Sequence, residues 1–562
     1  MSDIRLISLE TGGNQAYIFA TNKLRNVVGA SELLYRVGTS YVERAVEAAT
    51  GRAFKVADIA KEPKIDDMEG KAIEVVIATS GKALLLARGE ETAKCFIREW
   101  SRIMADEAPG VDALAVYSDV PVAPGDDLDA FKRAFDRASQ LMSRSRASQG
   151  MPVGRFPRLP IVAECAFSGL PAVDISKEHG REVLVSASSL AQRNALDDLM
   201  MERIKGLFPG DGASQFRKGL ATLEQRDLDW LAVIHADGNG LGQLFIGFDQ
   251  WVKALVEKEG RAATGRDYIA HYRAFSSALD RISRDAFQST VTAMWHLDEP
   301  DIVPIVVGGD DLTVVMDGKR SFEFAQRFMV EFCERTASDP ATQPILRCAG
   351  LDRLGMCAGI SIAKPHFPFS QSYRLAEGLM SNAKQVKDQY GKGSIALDFH
   401  ILYDSVSTSI SDIRKRLEIK EGGRTRILTA KPYVVQQGAT WNRDKGIGPN
   451  EEWNKVHDYD QFDRAREAIT KLPSSQAHAV RDALFSELTD TQESEWIFLR
   501  DTYSRGKDNF RDAWEKVYQG EDRGHLYVKV EPERDYTYFL DALEALKFQE
   551  GKRSEGKGGD RT

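Results

Sequence analysis

An α+β fold is predicted for this chain: two ferredoxin-like units, a small inserted region and a helical C-terminal region. Three features of the 562 residues predict it. Residues 302–316, IVPIVVGGDDLTVVM, run apolar, turn through Gly308-Gly309-Asp310-Asp311 and run apolar again, the pattern of a β-hairpin. Residues 231–242, LAVIHADGNGLG, read as a strand that ends in Asp237 and passes through glycines into a helix. Residues 73–87, IEVVIATSGKALLLA, align without gaps on 302–316, so the hairpin occurs twice.

The first unit is assigned to residues 1–120. It opens on a strand and glycine turn in LISLETGGNQAYIF (6–19), which resembles LAVIHADGNGLGQLF (231–245). One long helix, NKLRNVVGASELLYRVGTSYVERAVEAA, is expected next, then the hairpin at 73–87, a helix through CFIREWSRIM and a closing strand DALAVYS. Pro121 and Pro124 mark a linker before a helix at 126–147. Residues 121–228 as a whole are linker plus a small helical insertion. The second unit spans 229–402: strand 231–237, helix 267–293, the hairpin, helix 320–337, strand 356–363, helix 369–388 and strand 394–399. This is the βαββαβ order with insertions. Residues 403–548 read as mostly helical, and 549–562, polar and glycine-rich, as a disordered tail.

Composition narrows the function classes. The chain is 42% hydrophobic and 28% charged, with a net charge of −9, so it is not a bulk nucleic-acid binder. Its five cysteines contain no CxxC pair, so neither a disulfide framework nor a zinc ribbon is indicated. The N-terminus reads as a strand, and no apolar run reaches the ~18 residues of a membrane span. A cytoplasmic protein without membrane contact is expected.

The two strand ends deliver three carboxylates, Asp237, Asp310 and Asp311, as candidate ligands for Mg²⁺ or Mn²⁺. Hard cations take oxygen ligands and keep several waters, so two or three acids suffice. Two such ions about 3.5–4 Å apart serve nucleotidyl transfer, one at the attacking oxygen and one at the leaving group. Palm domains of nucleotidyl transferases are built in this way. Gly308 and Gly309 suit the turn and the close approach of a triphosphate. The backbone after Asp237, at Asn239, Gly240 and Leu241, is a candidate phosphate contact. Lys384, at the end of the 369–388 helix, is placed to reach a triphosphate. In the first unit, Gly81 and Lys82 stand where Asp310 and Asp311 stand in the second. A lysine repels a cation, so the first unit is predicted to be catalytically dead. No Walker A loop, G-x-S-x-G elbow or H-E-x-x-H occurs. His457-Asp458 is expected to be a surface pair rather than a phosphohydrolase site.

On these residues the chain resembles the large, polymerase-like, two-palm GGDD subunit of type III CRISPR effector complexes, or a stand-alone relative of it. The resemblance rests on ETGGNQAYIFATNKLRNVVGASELL, CAFSGLPAV, Asp237-Gly238-Asn239-Gly240, Gly308-Gly309-Asp310-Asp311, AGISIAKPHFPF, GSIALDF, LTAKPYVVQQG and YFLDALEALKF. It implies that ATP is condensed 3′ to 5′ into cyclic oligoadenylate messengers for antiviral defence. It implies metal ligation by Asp237, Asp310, Asp311 and the Gly238 carbonyl, and a triphosphate contact by Lys384. A second ATP would lie near Gly29 and Ser31, against the degenerate first palm. The implied partners are guide or target RNA and other CRISPR effector subunits. The chain starts directly at the first palm, so DNA cleavage by the HD nuclease domain that often opens this family is not expected. Ser168 stands where a CxxC would place the partner of Cys165, so zinc is not expected. Two alternatives remain: a non-catalytic nucleotide- or RNA-binding scaffold, and a cyclic dinucleotide synthase using GTP.

Overall fold

The computed structural model describes residues 3–148, 159–178, 180–225, 228–295, 300–403, 409–421, 423–436, 456–485, 489–506, 509–518, 522–531 and 533–548. The tail expected to be disordered, 549–562, lies outside them. Strands β1 (Ile4–Gly12), β2 (Ile73–Thr79), β3 (Lys82–Arg88) and β4 (Asp112–Tyr117) form an antiparallel sheet in the order β2-β3-β1-β4. That is the ferredoxin-like order. Continuous apolar runs in β2 and β3 are buried on both faces, since helices cover one side and the second unit the other. The expected long helix is two helices, Leu24–Gly38 and Ser40–Thr50, broken at Thr39. Gly38 lies against the β2–β3 turn; a Cβ there would sit 1.9 Å from the Thr79 carbonyl oxygen, so the helix can pass over its own hairpin only with glycine at this point.

The insertion follows the helix Leu128–Ser148. It contains the helices Ala187–Asn194, Asp198–Lys205 and Gly212–Gln225, and also a two-stranded hairpin, β5 (Ala172–Glu178) with β6 (Arg181–Ser186). The hairpin departs from the helical expectation. Val173 and Ile175 point to solvent, at 63% and 58% exposure, so no buried face imposes an alternating pattern that sequence reading could detect.

The second sheet is built from β7 (Leu231–Gly238), β8 (Ile302–Gly308), β9 (Asp311–Asp317), β10 (Met356–Ala363) and β11 (Ile395–Ile401). Its core order β10-β7-β9-β8 repeats the first sheet's order, and β11 extends it in parallel with β10. Both hairpins close on a two-residue turn, with Thr79 paired to Lys82 in the first and Gly308 to Asp311 in the second. Both carry a β-bulge at the same place, Val75/Ile77 and Pro304/Val306. A matched register and a matched bulge are stronger signs of duplication than matched hydropathy alone.

The described part of the C-terminal region is mostly helical, as expected, and adds a small sheet that the sequence reading did not include. Strands β12 (Glu418–Glu421), β13 (Arg424–Ile427), β15 (Val528–Glu531) and β16 (Arg534–Tyr536) form a sheet in the order β12-β13-β16-β15. They are three or four residues long and charge-rich, too short to show a period, and β13 pairs in parallel with a strand more than a hundred residues away. One further strand, β14 (Tyr433–Gln436), joins the second sheet beside β11. The expected surface pair is also corrected. His457 is 6% exposed, and its Nδ1 lies 2.9 Å from the Pro432 carbonyl oxygen. Burial pushes its imidazole down to about 4. Asp458 caps the helix Tyr459–Ile469 through the backbone N–H groups of Asp460 and Gln461. Among the described residues no helix is long and apolar enough to cross a membrane.

Candidate active site between the two sheets

Antiparallel pairing of β7 with β9 sets Ala236 opposite Leu312, so the next residues outward, Asp237 and Asp311, emerge side by side at one sheet end. Asp310 occupies the turn beside them. One carboxylate oxygen from each of the three lies within 4.8 Å of the others. Glycines make this convergence possible. A Cβ on Gly238 would fall 2.8 Å from the Asp310 Cβ and 2.7 Å from its Oδ2. Gly309, at φ +60°, supplies the left-handed turn residue and leaves Asp310 the second turn position. In the first hairpin the left-handed glycine is instead Gly81, at φ +66°, in the position that Asp310 holds in the second.

The electrostatics are strained without a counter-ion. Burial, then the Asp237 charge, pushes the Asp310 carboxyl up to about 7. Asp311 opens to the cleft but is ringed by protein; burial and the two neighbouring acids push it well above the usual carboxylate range. Lys384 is the one cation in direct contact with the trio among the described residues, through an ion pair with Asp237 Oδ2. The expected helix 369–388 ends at Ala383, and a short helix restarts at Val386, so Lys384 sits in the break.

Two of the carboxylates, Asp310 and Asp311, line a cavity of about 260 Å³ that both hairpin turns border, and Asp237 lies beside them outside its lining. Thr79, Ser80 and Lys82 come from the first sheet, and Gly308, Gly309, Asp310 and Asp311 from the second. Phe19 and Tyr373 stack at 3.7 Å between centroids and form an aromatic wall. Ser31 lines the cavity too, and its hydroxyl donates to the Ile305 carbonyl at the second bulge. Leu241 lines it at the start of a short helix, after Gly240 at φ +77°.

Two other expected residues face elsewhere. Gly29 packs on the insertion, where a Cβ would meet the Gln192 carbonyl oxygen at 1.7 Å. Asn239 is 1% exposed; its side-chain amide donates to the Ser394 carbonyl at 2.8 Å, and its backbone N–H donates to Gly355. It locks the loop rather than presenting donors to the cavity.

Sequence reading missed His235, Asp280 and Arg203, all of which line the cavity. His235 had a detectable signal, lying two residues before Asp237 on the same strand face. Its Nδ1 lies 3.0 Å from Thr313 Oγ1, and burial lowers its imidazole below the usual range. Asp280, on the helix Gly265–Trp295, pairs with Arg284 at 3.0 Å. Arg203 comes from the insertion and pairs with Glu32 at 2.8 Å. Neither stands in a motif, and only the fold brings them to the cavity.

Residues 230–396 match the family model of the Cas10/Cmr2 second palm domain. This segment is a Cas10-type second palm. The matched span contains Asp237, Asp310, Asp311 and Lys384. No curated protein sequence matches the chain. Among solved structures, Csm1–Csm4 cassettes are similar. The cassette in complex with pppApA shares 13% identity over 98% of this chain and 70% of its own, with a TM-score of 0.45. The complex with cA3 shares 14% over 98% and 70%, with a TM-score of 0.42. The apo cassette shares 14% over 75% of this chain, which spans 59% of that chain's length, with a TM-score of 0.37. The chain thus carries, at residues 230–396, a segment similar to the Cas10/Cmr2 second palm domain, within an α+β architecture.

Proposed function

We propose that this cavity joins ATP molecules into cyclic oligoadenylates. The observation that carries the reading is the convergence of Asp237, Asp310 and Asp311 at the edge of a cavity that Asp310 and Asp311 line and whose opposite turn carries Lys82 and no acid. Three clustered acids whose ionised forms oppose one another cost stability unless cations neutralise them. The donor set is all oxygen, which suits Mg²⁺ or Mn²⁺, held by the three aspartates with the Gly238 carbonyl nearby. Bound there, the ions would lower the pKa of the attacking 3′-hydroxyl and neutralise the leaving pyrophosphate.

The remaining work falls to the chain. Lys384, released from Asp237 when the acids are neutralised, is free to contact the donor triphosphate. Lys82 on the first turn and Arg203 from the insertion add basic groups to the cavity lining that suit the acceptor's phosphates. The Phe19–Tyr373 wall offers an apolar face to a base. Rigid placement of donor and acceptor on two packed sheets supplies orientation, the main protein contribution to phosphoryl transfer. Guide or target RNA and other effector subunits, as the family implies, would act on this site from outside.

The test is incubation of purified protein with Mg²⁺ and each NTP, with products resolved by mass spectrometry. Cyclic oligoadenylates from ATP, absent in Asp310→Ala/Asp311→Ala, are expected. Unchanged product in the double variant, or a cyclic dinucleotide from GTP in preference to ATP, would overturn the reading.

A further inference from the structure

The insertion carries a cluster that the nucleotide site does not use. Cys165, Ser168, Ser186 and Ser189 come together at the base of the β5–β6 hairpin. Their spacing is C-x₂-S, seventeen residues, S-x₂-S. With cysteine at all four positions this would be a C-x₂-C-x₁₅₋₂₀-C-x₂-C zinc ribbon. The backbone of the first turn is that of a metal-binding knuckle: the Phe167 N–H points at Cys165 Sγ (3.4 Å) and the Leu170 N–H at Ser168 Oγ (3.3 Å). On the second side Ser186 caps the helix Ala187–Asn194 by accepting from the Ser189 N–H (3.2 Å). Gly169, directly after Ser168, takes the left-handed φ of +62° that closes such a turn.

The four side chains form one connected chain of contacts. Ser168 Oγ lies 3.0 Å from Ser186 Oγ, which lies 3.1 Å from Ser189 Oγ, which lies 3.5 Å from Cys165 Sγ. Cys165, Ser186 and Ser189 are each under 5% exposed. Structural zinc takes thiolates or imidazoles. Three neutral hydroxyls with one thiol supply a single good ligand, so the donor set does not fit the ion.

We infer that residues 165–189 are a zinc ribbon whose metal has been replaced by a hydrogen-bonded set of three hydroxyls and one thiol, so that this part of the protein folds without metal. Burial alone would raise the Cys165 thiol. The Ser168 and Ser189 hydroxyls and the backbone N–H groups of Phe167 and Ser168 outweigh it and bring the thiol down to about 6, the setting of a thiolate ligand. The backbone therefore keeps the geometry of a site whose ligands are gone, and restoring the ligands should restore the site.

Full-length protein grown with excess zinc and then held in saturating Mg²⁺, which keeps zinc off the three aspartates, is expected to retain less than about a tenth of an equivalent of zinc, with a melting temperature indifferent to a zinc-selective chelator that leaves Mg²⁺ bound. The variant Ser168→Cys/Ser186→Cys/Ser189→Cys is expected to retain about one zinc per chain and to melt lower after chelation. Its cobalt(II) form should show the absorption of a tetrahedral thiolate site. Stoichiometric zinc in the wild type overturns the inference, and so does a folded triple variant that takes up no metal. Should the triple variant not fold, the zinc content and chelator response of the wild type decide alone.

Discussion

Burial and the Asp237 charge hold the Asp310 carboxyl near 7, against about 3.8 when the chain is unfolded. The folded chain therefore binds the extra proton, and this group's contribution to stability is present below pH 4 and lost as pH rises through 7. A divalent cation removes that penalty by binding the ionised form. Mg²⁺ is thus expected to raise the melting temperature of the wild type at pH 8 more than at pH 6. It should leave Asp310→Asn/Asp311→Asn almost unmoved, as differential scanning fluorimetry would report. An equal Mg²⁺ shift in both proteins would mean that the ion binds elsewhere. Gly238 tests the geometry separately. Gly238→Ala sets a Cβ 2.8 Å from the Asp310 Cβ. Overpacking of this kind costs about 1–3 kcal/mol. The carboxylate must move, so a fall in kcat of more than tenfold is expected with all three acids still present.

At the scale of elements, each hairpin is held by a helix of the other unit. Glu74 on β2 is buried at 0% exposure, and its two oxygens accept from Arg266 at 2.7 Å and Arg273 at 2.9 Å, both on the helix Gly265–Trp295. Removing one partner of a buried ion pair leaves uncompensated charge and costs about 3–5 kcal/mol. Glu74→Ala is expected to lose about that much in urea denaturation, and Glu74→Gln less, because the amide oxygen still accepts one arginine. Equal losses would point to packing rather than charge. This contact also shows where sequence reading stops. The strands of both units were legible because their apolar runs are long and a turn punctuates each hairpin. The Asp237 and GGDD carboxylates were legible because they sit at strand ends. Glu74 reads from sequence as a polar interruption of a buried strand. Its partners lie nearly two hundred residues on, so only tertiary structure explains it. The short charged strands β12, β13, β15 and β16 escaped for a related reason, since their order comes from pairing across the C-terminal region and not from a local period.

Across the whole molecule the two units face one another as an approximate pair. The Ser31 hydroxyl of the first donates to the Ile305 carbonyl at the second unit's bulge. Arg273 of the second donates to the Val75 carbonyl at the first unit's bulge, at 3.0 Å. Duplication thus leaves two turns lining one cavity, and the sequence makes them chemically opposite. The second turn presents acids. The first presents Lys82, half-exposed and only loosely tied to Glu10 at 3.7 Å. A turn that had merely decayed would be free to carry any small polar residue. Under the proposed function, a lysine that lines the shared cavity is suited to the phosphates of the acceptor nucleotide. Lys82→Ala is accordingly expected to raise the KM for ATP several-fold, with a smaller change in kcat and an unaltered Mg²⁺ stabilisation. The loss should narrow as salt screens the interaction. Lys82→Asp should do worse than alanine, because a fourth acid in the cavity repels the acceptor without standing beside the three ligands. Steady-state kinetics at two ionic strengths would separate these outcomes. Wild-type KM in Lys82→Asp would show that the first turn is a bystander and that both nucleotides are held by the second unit alone.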